Sequence, residues 1–74
     1  MLAGRSDANI RFADLRALLL RFGFSERVKG SHHLFDRPGV VEIVNLQSRG
    51  GHVKPYQVRQ VRRVVLKYQL GRGD

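Results

Sequence analysis

The sequence predicts a small α+β domain in which two amphipathic helices flank a three-stranded antiparallel sheet, in the order α-β-β-β-α. Apolar residues recur at three- and four-residue steps near both ends of the chain, which is the period of a helix with one buried face. Between them lie three short runs rich in β-branched and aromatic residues, separated by glycine-containing turns. A chain of 74 residues forms one domain. We expect this domain to span 9–70, after a flexible lead-in at 1–8 and before a flexible tail at 71–74.

The first helix is predicted from Arg11 to Phe22, and its apolar stripe comprises Phe12, Leu15, Leu18, Leu19 and Phe22. Asn9 or Asp7 is expected to cap its start, and Gly23 to end it in a left-handed conformation. Its arginines lie off the stripe and are expected to face solvent: Arg11, Arg16 and Arg21.

The three strands are predicted at Phe24 to Val28, Ser31 to Arg37 and Val40 to Leu46. Lys29-Gly30 is expected to form the first two-residue turn, with the glycine in the second central position. Pro38-Gly39 fits the centre of a type II turn, because proline fixes the first φ and glycine permits a positive second φ.

The last helix is predicted to begin at Lys54-Pro55, since proline suits the first helical turn. Val58, Val61, Val65 and Tyr68 form its buried stripe, with Val64 adjoining. Its arginines fall away from that stripe and form either an ordinary solvated face or one bank of a basic groove: Arg59, Arg62 and Arg63. Gly50-Gly51, before this helix, is expected to be a flexible connector, with close approach of its amides to phosphate as the alternative.

The charge of the chain indicates a polyanionic partner. Fourteen basic and six acidic residues give a net charge of +8, and eleven of the basic residues are arginines, whose planar fork suits phosphate oxygens. No segment is long and apolar enough to span a bilayer. The chain has no cysteine, so disulfides and thiolate zinc sites are excluded. No signal peptide is recognisable, which indicates a cytoplasmic location.

The adjacent histidines of the second predicted strand are expected to point in opposite directions. Strand alternation places His32 with Leu34 on one face, and Ser31, His33 and Phe35 on the other. One metal ion cannot collect both rings from opposite faces, so a joint metal site is not predicted. We expect one histidine to be displayed and the other to lie near the core beside Phe35. Spacing alone leaves His32 open to two interpretations, an ordinary surface histidine or a reactive one.

The chain resembles the HicA family of toxin ribonucleases from about Asn9 to Tyr68. The resemblance rests on the order and spacing of Gly23-Phe24, Gly30-Ser31-His32, Asn45-Leu46-Gln47, Gly50-Gly51 and the segment from Lys54 to Gln60. It implies a fold similar to a double-stranded-RNA-binding domain, messenger RNA as substrate, His32 as the catalytic residue and a HicB-type antitoxin as protein partner. It does not extend to His52, because the family usually has other residues there.

The residue types also favour RNA cleavage without a metal ion. The six acids are scattered along the chain, whereas a two-metal nuclease clusters carboxylates around its ions. Ser31 and His32 face opposite ways, which argues against an acyl-transfer triad. RNA carries its own nucleophile, the 2′-hydroxyl, so His32 as general base or acid needs only cations that hold the phosphate. We expect these to be Lys29, Lys54, Arg59, Arg62 and Arg63, with no cofactor and no metal ligand.

Two other classes of function remain open from the sequence. One is a non-catalytic module that reads the shape of double-stranded RNA through phosphates and 2′-hydroxyls. The other is a small protein-interaction domain whose charge is incidental. RNA binding without strand breaks would identify the first, and no RNA affinity at physiological salt would identify the second.

Overall fold

The computed structural model describes residues 9–71 and has the predicted order of elements. Helix α1 spans Phe12–Arg21, strand β1 Ser25–Lys29, strand β2 His32–Arg37, strand β3 Val40–Leu46 and helix α2 Pro55–Lys67. The strands form one antiparallel sheet in the order β1-β2-β3. The predicted lead-in at 1–8 and positions 72–74 of the predicted tail lie outside the described residues.

The core lies between the two helices and one face of the sheet, here called the inner face. Its largest fully buried side chains are Phe35, Leu15, Leu19, Leu46, Val44, Val58 and Val61. The apolar stripes predicted for both helices therefore face the core, although Phe12, Phe22 and Tyr68 are only partly buried. In α2 Val64 is buried and Val65 only half-buried, because the buried face also includes Gln57 and is turned toward Val64.

The turn between β1 and β2 differs from the prediction by one residue. Lys29 pairs with His32, so the two central residues are Gly30 and Ser31 rather than Lys29 and Gly30. Gly30 has a φ of +61°, while the φ of Ser31 is not positive. A glycine in the first central position is typical of a type II′ turn, which matches the twist of the flanking strands. Lys29 consequently belongs to the sheet.

The turn between β2 and β3 is centred on Pro38-Gly39 as predicted, with a φ of +88° at Gly39. Beyond it the pairing shifts from Arg37 opposite Val40 to Phe35 opposite Val44. Three residues of β3, at positions 41–43, therefore face the single residue Asp36 of β2. Because the shift is by an even number of residues, the side chains that face the core before the shift and those that face it after the shift lie on the same face of the sheet.

Both helices end in a Schellman motif. Gly23 follows α1 with a φ of +90°, and the amides of Gly23 and Phe24 bond to the carbonyls of Leu20 and Leu19. The stop predicted at Gly23 is confirmed. At the end of α2 the equivalent left-handed residue is Gln69, with a φ of +54°.

The start of α1 is supported by tertiary structure instead of the predicted asparagine or aspartate cap. Arg11 occupies the cap position, and the Phe12 amide donates to the carbonyl of Gly51 at 2.9 Å. Asn9 precedes this position by two residues, and Asp7 lies outside the described part of the chain. The amide of Val53 in turn donates to the carbonyl of Ile10 at 3.2 Å.

The Gly50-Gly51 segment is a built hairpin rather than the flexible connector predicted. Arg49 and His52 exchange two backbone hydrogen bonds, of 2.7 and 3.1 Å, across the two glycines. Gly50 and Gly51 both have positive φ, +59° and +87°, as a type I′ turn requires. The hairpin packs against the start of α1, so it forms part of the framework.

The elements divide the molecule into two ends. The β1–β2 turn, the end of β3, the 49–52 hairpin and the starts of both helices lie at one end. The β2–β3 turn and the ends of both helices line a groove at the other. Across positions 9–71, neither helix is long and apolar enough to cross a membrane.

Candidate functional site

His32 lies at the start of β2, exposed on the outer face of the sheet, which is the face turned away from the helices. Phe35 is fully buried and His33 half-buried on the inner face, so the two histidines point apart as predicted. The sequence places His32 here through two local features, the Gly30-Ser31 turn and the alternation of side chains along β2. The ring is accessible to a large ligand such as a polynucleotide.

Two residues from the neighbouring strands flank His32, and together the three form what we call the outer-face site: Lys29, His32 and Asn45. Lys29 is the direct cross-strand partner of His32, so both side chains project from the same face. Asn45 approaches from β3, and its Oδ1 atom lies 3.3 Å from Nδ1 of His32. The outer-face site thus draws one side chain from each strand.

A second amide from the end of β3 secures the turn that precedes His32. Nε2 of Gln47 donates to Oγ of Ser31 at 3.0 Å. Ser31 is the last residue of the turn, and its side chain would otherwise extend into solvent. The hydrogen bond ties the turn to the opposite edge of the sheet and restrains the backbone directly before His32.

His33 belongs to a different network on the inner face. Its Nδ1 atom donates to Oε2 of Glu26 at 2.7 Å, and the ring of Phe12 packs against it edge-on with centroids 4.7 Å apart. Arg16 of α1 donates to both oxygens of Glu26, at 2.9 and 3.0 Å. These hydrogen bonds, Arg16 first and His33 second, hold the pKa of Glu26 below its ordinary value. Arg16, expected to be solvated, is therefore an anchor between α1 and the sheet.

The other cations predicted to bind phosphate are distributed over two surfaces. Lys54 occupies the N-cap position of α2 and is exposed at the same end of the molecule as the β1–β2 turn. Arg59 and Arg63 are exposed on the side of α2 opposite its buried valines, Arg62 is half-buried at the edge of that side, and α2 covers the inner face of the sheet. The fold brings Lys29 to His32, whereas it directs Arg59 and Arg63 away from the outer-face site. Their role in phosphate binding stays a prediction.

The electrostatics around His32 are cationic. Arg27, two residues before Lys29, lies on the same face opposite Leu34. It forms a long ion pair with Asp36, at 3.9 Å between largely exposed groups, which neutralises little of its charge. Within residues 9–71, no group of three or more His, Cys, Asp or Glu side chains is placed to hold a metal ion.

A third histidine and a groove lie outside the outer-face site. His52 is exposed in the 49–52 hairpin, where its backbone bridges to Arg11 and Arg49. The groove at the far end has a volume of about 470 Å³ and is lined in part by Arg21, Arg37 and Tyr68. It is open and lies at the opposite end of the sheet from His32, so it does not contribute to the outer-face site.

Chemically, the outer-face site can hold an anion and exchange a proton with it. With Nδ1 of His32 directed at Asn45, the second ring nitrogen is left for a ligand. An ammonium and a guanidinium on the same face, from Lys29 and Arg27, supply charge for a phosphate. Sequence reasoning assigned no role to Arg27, Asn45 and Gln47. Strand alternation could have found Arg27. The predicted hairpin register would have placed Asn45 directly opposite His32, whereas the observed register places it opposite Leu34, so the diagonal contact of Asn45 with His32 depends on the shift in β3.

Comparisons with known proteins identify no relative: no family model, no curated protein and no solved structure matches this chain.

Proposed function

We propose that the protein is a metal-independent endoribonuclease that cleaves messenger RNA with His32 as its catalytic residue, the toxin of a type II toxin–antitoxin pair. The resemblance of the Gly30-Ser31-His32 segment and its flanking motifs to the HicA family supplies the class. The observation that carries the proposal is the outer-face site, in which an exposed imidazole lies beside the ammonium-bearing Lys29 on a rigid sheet.

The chemistry follows from what RNA provides. His32 removes the proton of a 2′-hydroxyl, and the oxygen attacks the adjacent phosphorus while the bond from phosphorus to the 5′-oxygen breaks. The leaving 5′-oxygen takes a proton from the imidazolium or from water. Lys29 and Arg27 stabilise the charge that develops on the phosphorane, with Lys54 at the same end available to a neighbouring phosphate. The products are a 2′,3′-cyclic phosphate and a free 5′-hydroxyl.

The resemblance also implies a setting for this activity. A HicB-type antitoxin, binding over the histidine-bearing face, would block access of RNA until it is degraded. The net charge of +8 suits an acidic segment of such a partner. The site of action is the cytoplasm, where messenger RNA is translated.

The direct test is cleavage of a single-stranded RNA by the purified chain in excess chelator. We expect fragments with cyclic phosphate ends from the native protein. His32→Ala should lower the rate by about 10² to 10⁴, the usual contribution of a general acid–base group. A substrate with one 2′-deoxynucleotide at a mapped cleavage position should be resistant at that position.

His52→Ala provides the matched control, because His52 is also exposed but lies in the 49–52 hairpin. We expect it to retain native activity. Cleavage by a folded His32→Ala variant at the native rate would refute the assignment, as would equal losses in the two variants.

The alternative of a non-catalytic RNA-binding module is favoured by one observation. The exposed arginines of α2, Arg59 and Arg63, lie on the other side of the molecule from His32, and a basic surface remote from the imidazole suits binding more than catalysis. This function predicts salt-sensitive binding to duplex RNA that His32→Ala leaves intact, with no strand breaks by the native chain. Salt-sensitive binding together with His32-dependent breaks would assign both surfaces to the nuclease.

A further inference from the structure

We propose that Asn45 is a positioning residue for His32, whose side-chain oxygen fixes the imidazole in the tautomer that carries its proton on Nδ1. Nε2 is then the atom that exchanges a proton with RNA. The inference rests on the proposed ribonuclease function for its catalytic half. Its structural half, the tautomer of His32, can be measured without RNA.

The sheet places the two side chains together. Asn45 lies directly opposite Leu34, the residue that follows His32 on the outer face, so Asn45 and His32 are diagonal neighbours across β2 and β3. Their side chains meet at 3.3 Å between Oδ1 and Nδ1. The backbone of the sheet holds both residues, with His32 paired to Lys29 and Asn45 paired to Leu34, and Gln47 restrains Ser31 directly before the histidine. Asn45 in β3 and Gln47 just after it thus act on the consecutive residues His32 and Ser31.

In the conformation that the structure shows, Oδ1 of Asn45 faces the ring, and an amide oxygen can only accept, so this contact selects one tautomer. A neutral imidazole has one N–H, so the nitrogen that faces Oδ1 must carry it. Histidine free in water prefers the opposite tautomer, with the proton on Nε2. Asn45 therefore turns the lone pair of the neutral ring toward solvent, where a 2′-hydroxyl can reach it.

A neutral partner also suits a group that must change its charge during turnover. Nδ1 donates to Oδ1 in both the neutral ring and the imidazolium, so the contact persists when Nε2 takes the 2′-hydroxyl proton and when it releases that proton. A carboxylate in the same place would stabilise the imidazolium and oppose the release. Asparagine orients the ring without holding it in one charge state.

The first part of the test is nitrogen NMR of the histidine side chains at a pH where the rings are neutral. The native chain should show His32 with its proton on Nδ1, and Asn45→Ala should move the population toward Nε2. Ile43→Ala is the matched control, since Ile43 lies two residues away on the same face of β3. A native His32 protonated on Nε2, or a tautomer that Asn45→Ala leaves unchanged, overturns the proposal.

The second part is single-turnover cleavage at saturating RNA. Asn45→Ala should lower the cleavage rate roughly 10- to 100-fold, the range found when a functional histidine loses the hydrogen-bond partner that orients its ring. The RNA concentration that gives half-saturation should not change comparably. Asn45→Asp keeps an acceptor and should retain cleavage, with the pH profile moved upward by about one unit. Native rates in Asn45→Ala overturn the catalytic half of the proposal. If the native chain cleaves nothing while the tautomer behaves as expected, the ribonuclease function fails and the orienting contact stands.

Discussion

At the scale of single residues, two adjacent histidines meet different surroundings because a strand sends them to opposite faces. His33 donates to the carboxylate of Glu26 and packs against Phe12, so it connects β2 to the start of α1. His32 faces solvent and meets a neutral amide. A histidine held by a carboxylate in a half-buried network is suited to structure, whereas an exposed one is suited to proton transfer.

Gln69 is the one described non-glycine residue with a positive φ, and its value of +54° is a costly conformation for a residue with a Cβ atom. We expect Gln69→Gly to raise the free energy of unfolding by about 0.5 to 1 kcal/mol, because relief of this strain exceeds the added freedom of the unfolded chain. The midpoint of urea denaturation measures the change. Gln69→Ala retains the Cβ atom and should give no gain; a gain of equal size would contradict the explanation.

At the scale of elements, the start of α1 depends on a hairpin distant in sequence. The amide of Phe12 donates to the carbonyl of Gly51, and Gly51 needs a positive φ to hold the turn. The 49–52 hairpin therefore does for α1 what a side-chain cap does for many helices.

We expect Gly51→Ala to destabilise the protein by about 1 to 2 kcal/mol, since alanine does not tolerate a φ of +87°. Hydrogen exchange should accelerate at the amides of Phe12 and Val53, which join the hairpin segment to the start of α1 by donating to the carbonyls of Gly51 and Ile10. Gly39→Ala is the control, because Gly39 has a similar φ of +88° at the other end of the sheet. Its stability loss should be similar, without faster exchange at Phe12. Equal exchange in the two variants would refute the link between hairpin and helix.

A second link between elements lies where β3 departs from regular pairing. Glu42 accepts hydrogen bonds from Lys67 at 2.9 Å and from the hydroxyl of Tyr68 at 2.7 Å, and the Tyr68 hydroxyl accepts the amide of Val41 at 3.2 Å. The hydrogen bonds from Lys67 and then Tyr68 lower the pKa of Glu42 to about 2. The end of α2 thereby stabilises the shifted segment of β3.

For the molecule as a whole, Glu26 and Glu42 lower the free energy of unfolding when the pH becomes acidic. Both carboxyls have a folded-state pKa below the ordinary 4.5, so the native state binds fewer protons than the unfolded state between the two values. Their contribution is complete above about pH 4.5 and is lost as pH falls through the folded-state pKa, which for Glu42 is about 2. We expect the urea midpoint to be lower at pH 3 than at pH 6.

The double variant Glu26→Gln/Glu42→Gln tests this origin of the pH dependence. It should be less stable than the native chain at pH 6, because charge-assisted hydrogen bonds become neutral ones. The difference between its midpoints at pH 6 and pH 3 should be smaller than in the native chain. An unchanged difference would assign the acid sensitivity to other carboxyls.

Much of the fold was predictable because its signals are local. The periods of 3.6 and 2 residues identified both helices, all three strands and the opposite directions of His32 and His33. Glycine in left-handed positions identified the end of α1 and the β2–β3 turn. The site was predictable in part: His32 and Lys29 came from the sequence, whereas Asn45 depends on how β3 pairs with β2.

The order of elements, their buried faces and the exposure of His32 follow from residues that are neighbours along the chain. The contact of Asn45 with His32, the bridge that Glu26 makes between Arg16 and His33, and the support that Gly51 gives to α1 arise only when the chain is folded. The docking of α2 also places Arg59 and Arg63 across the molecule from His32. These relations join residues remote in sequence, and strand register and helix docking set them through the packing of the core.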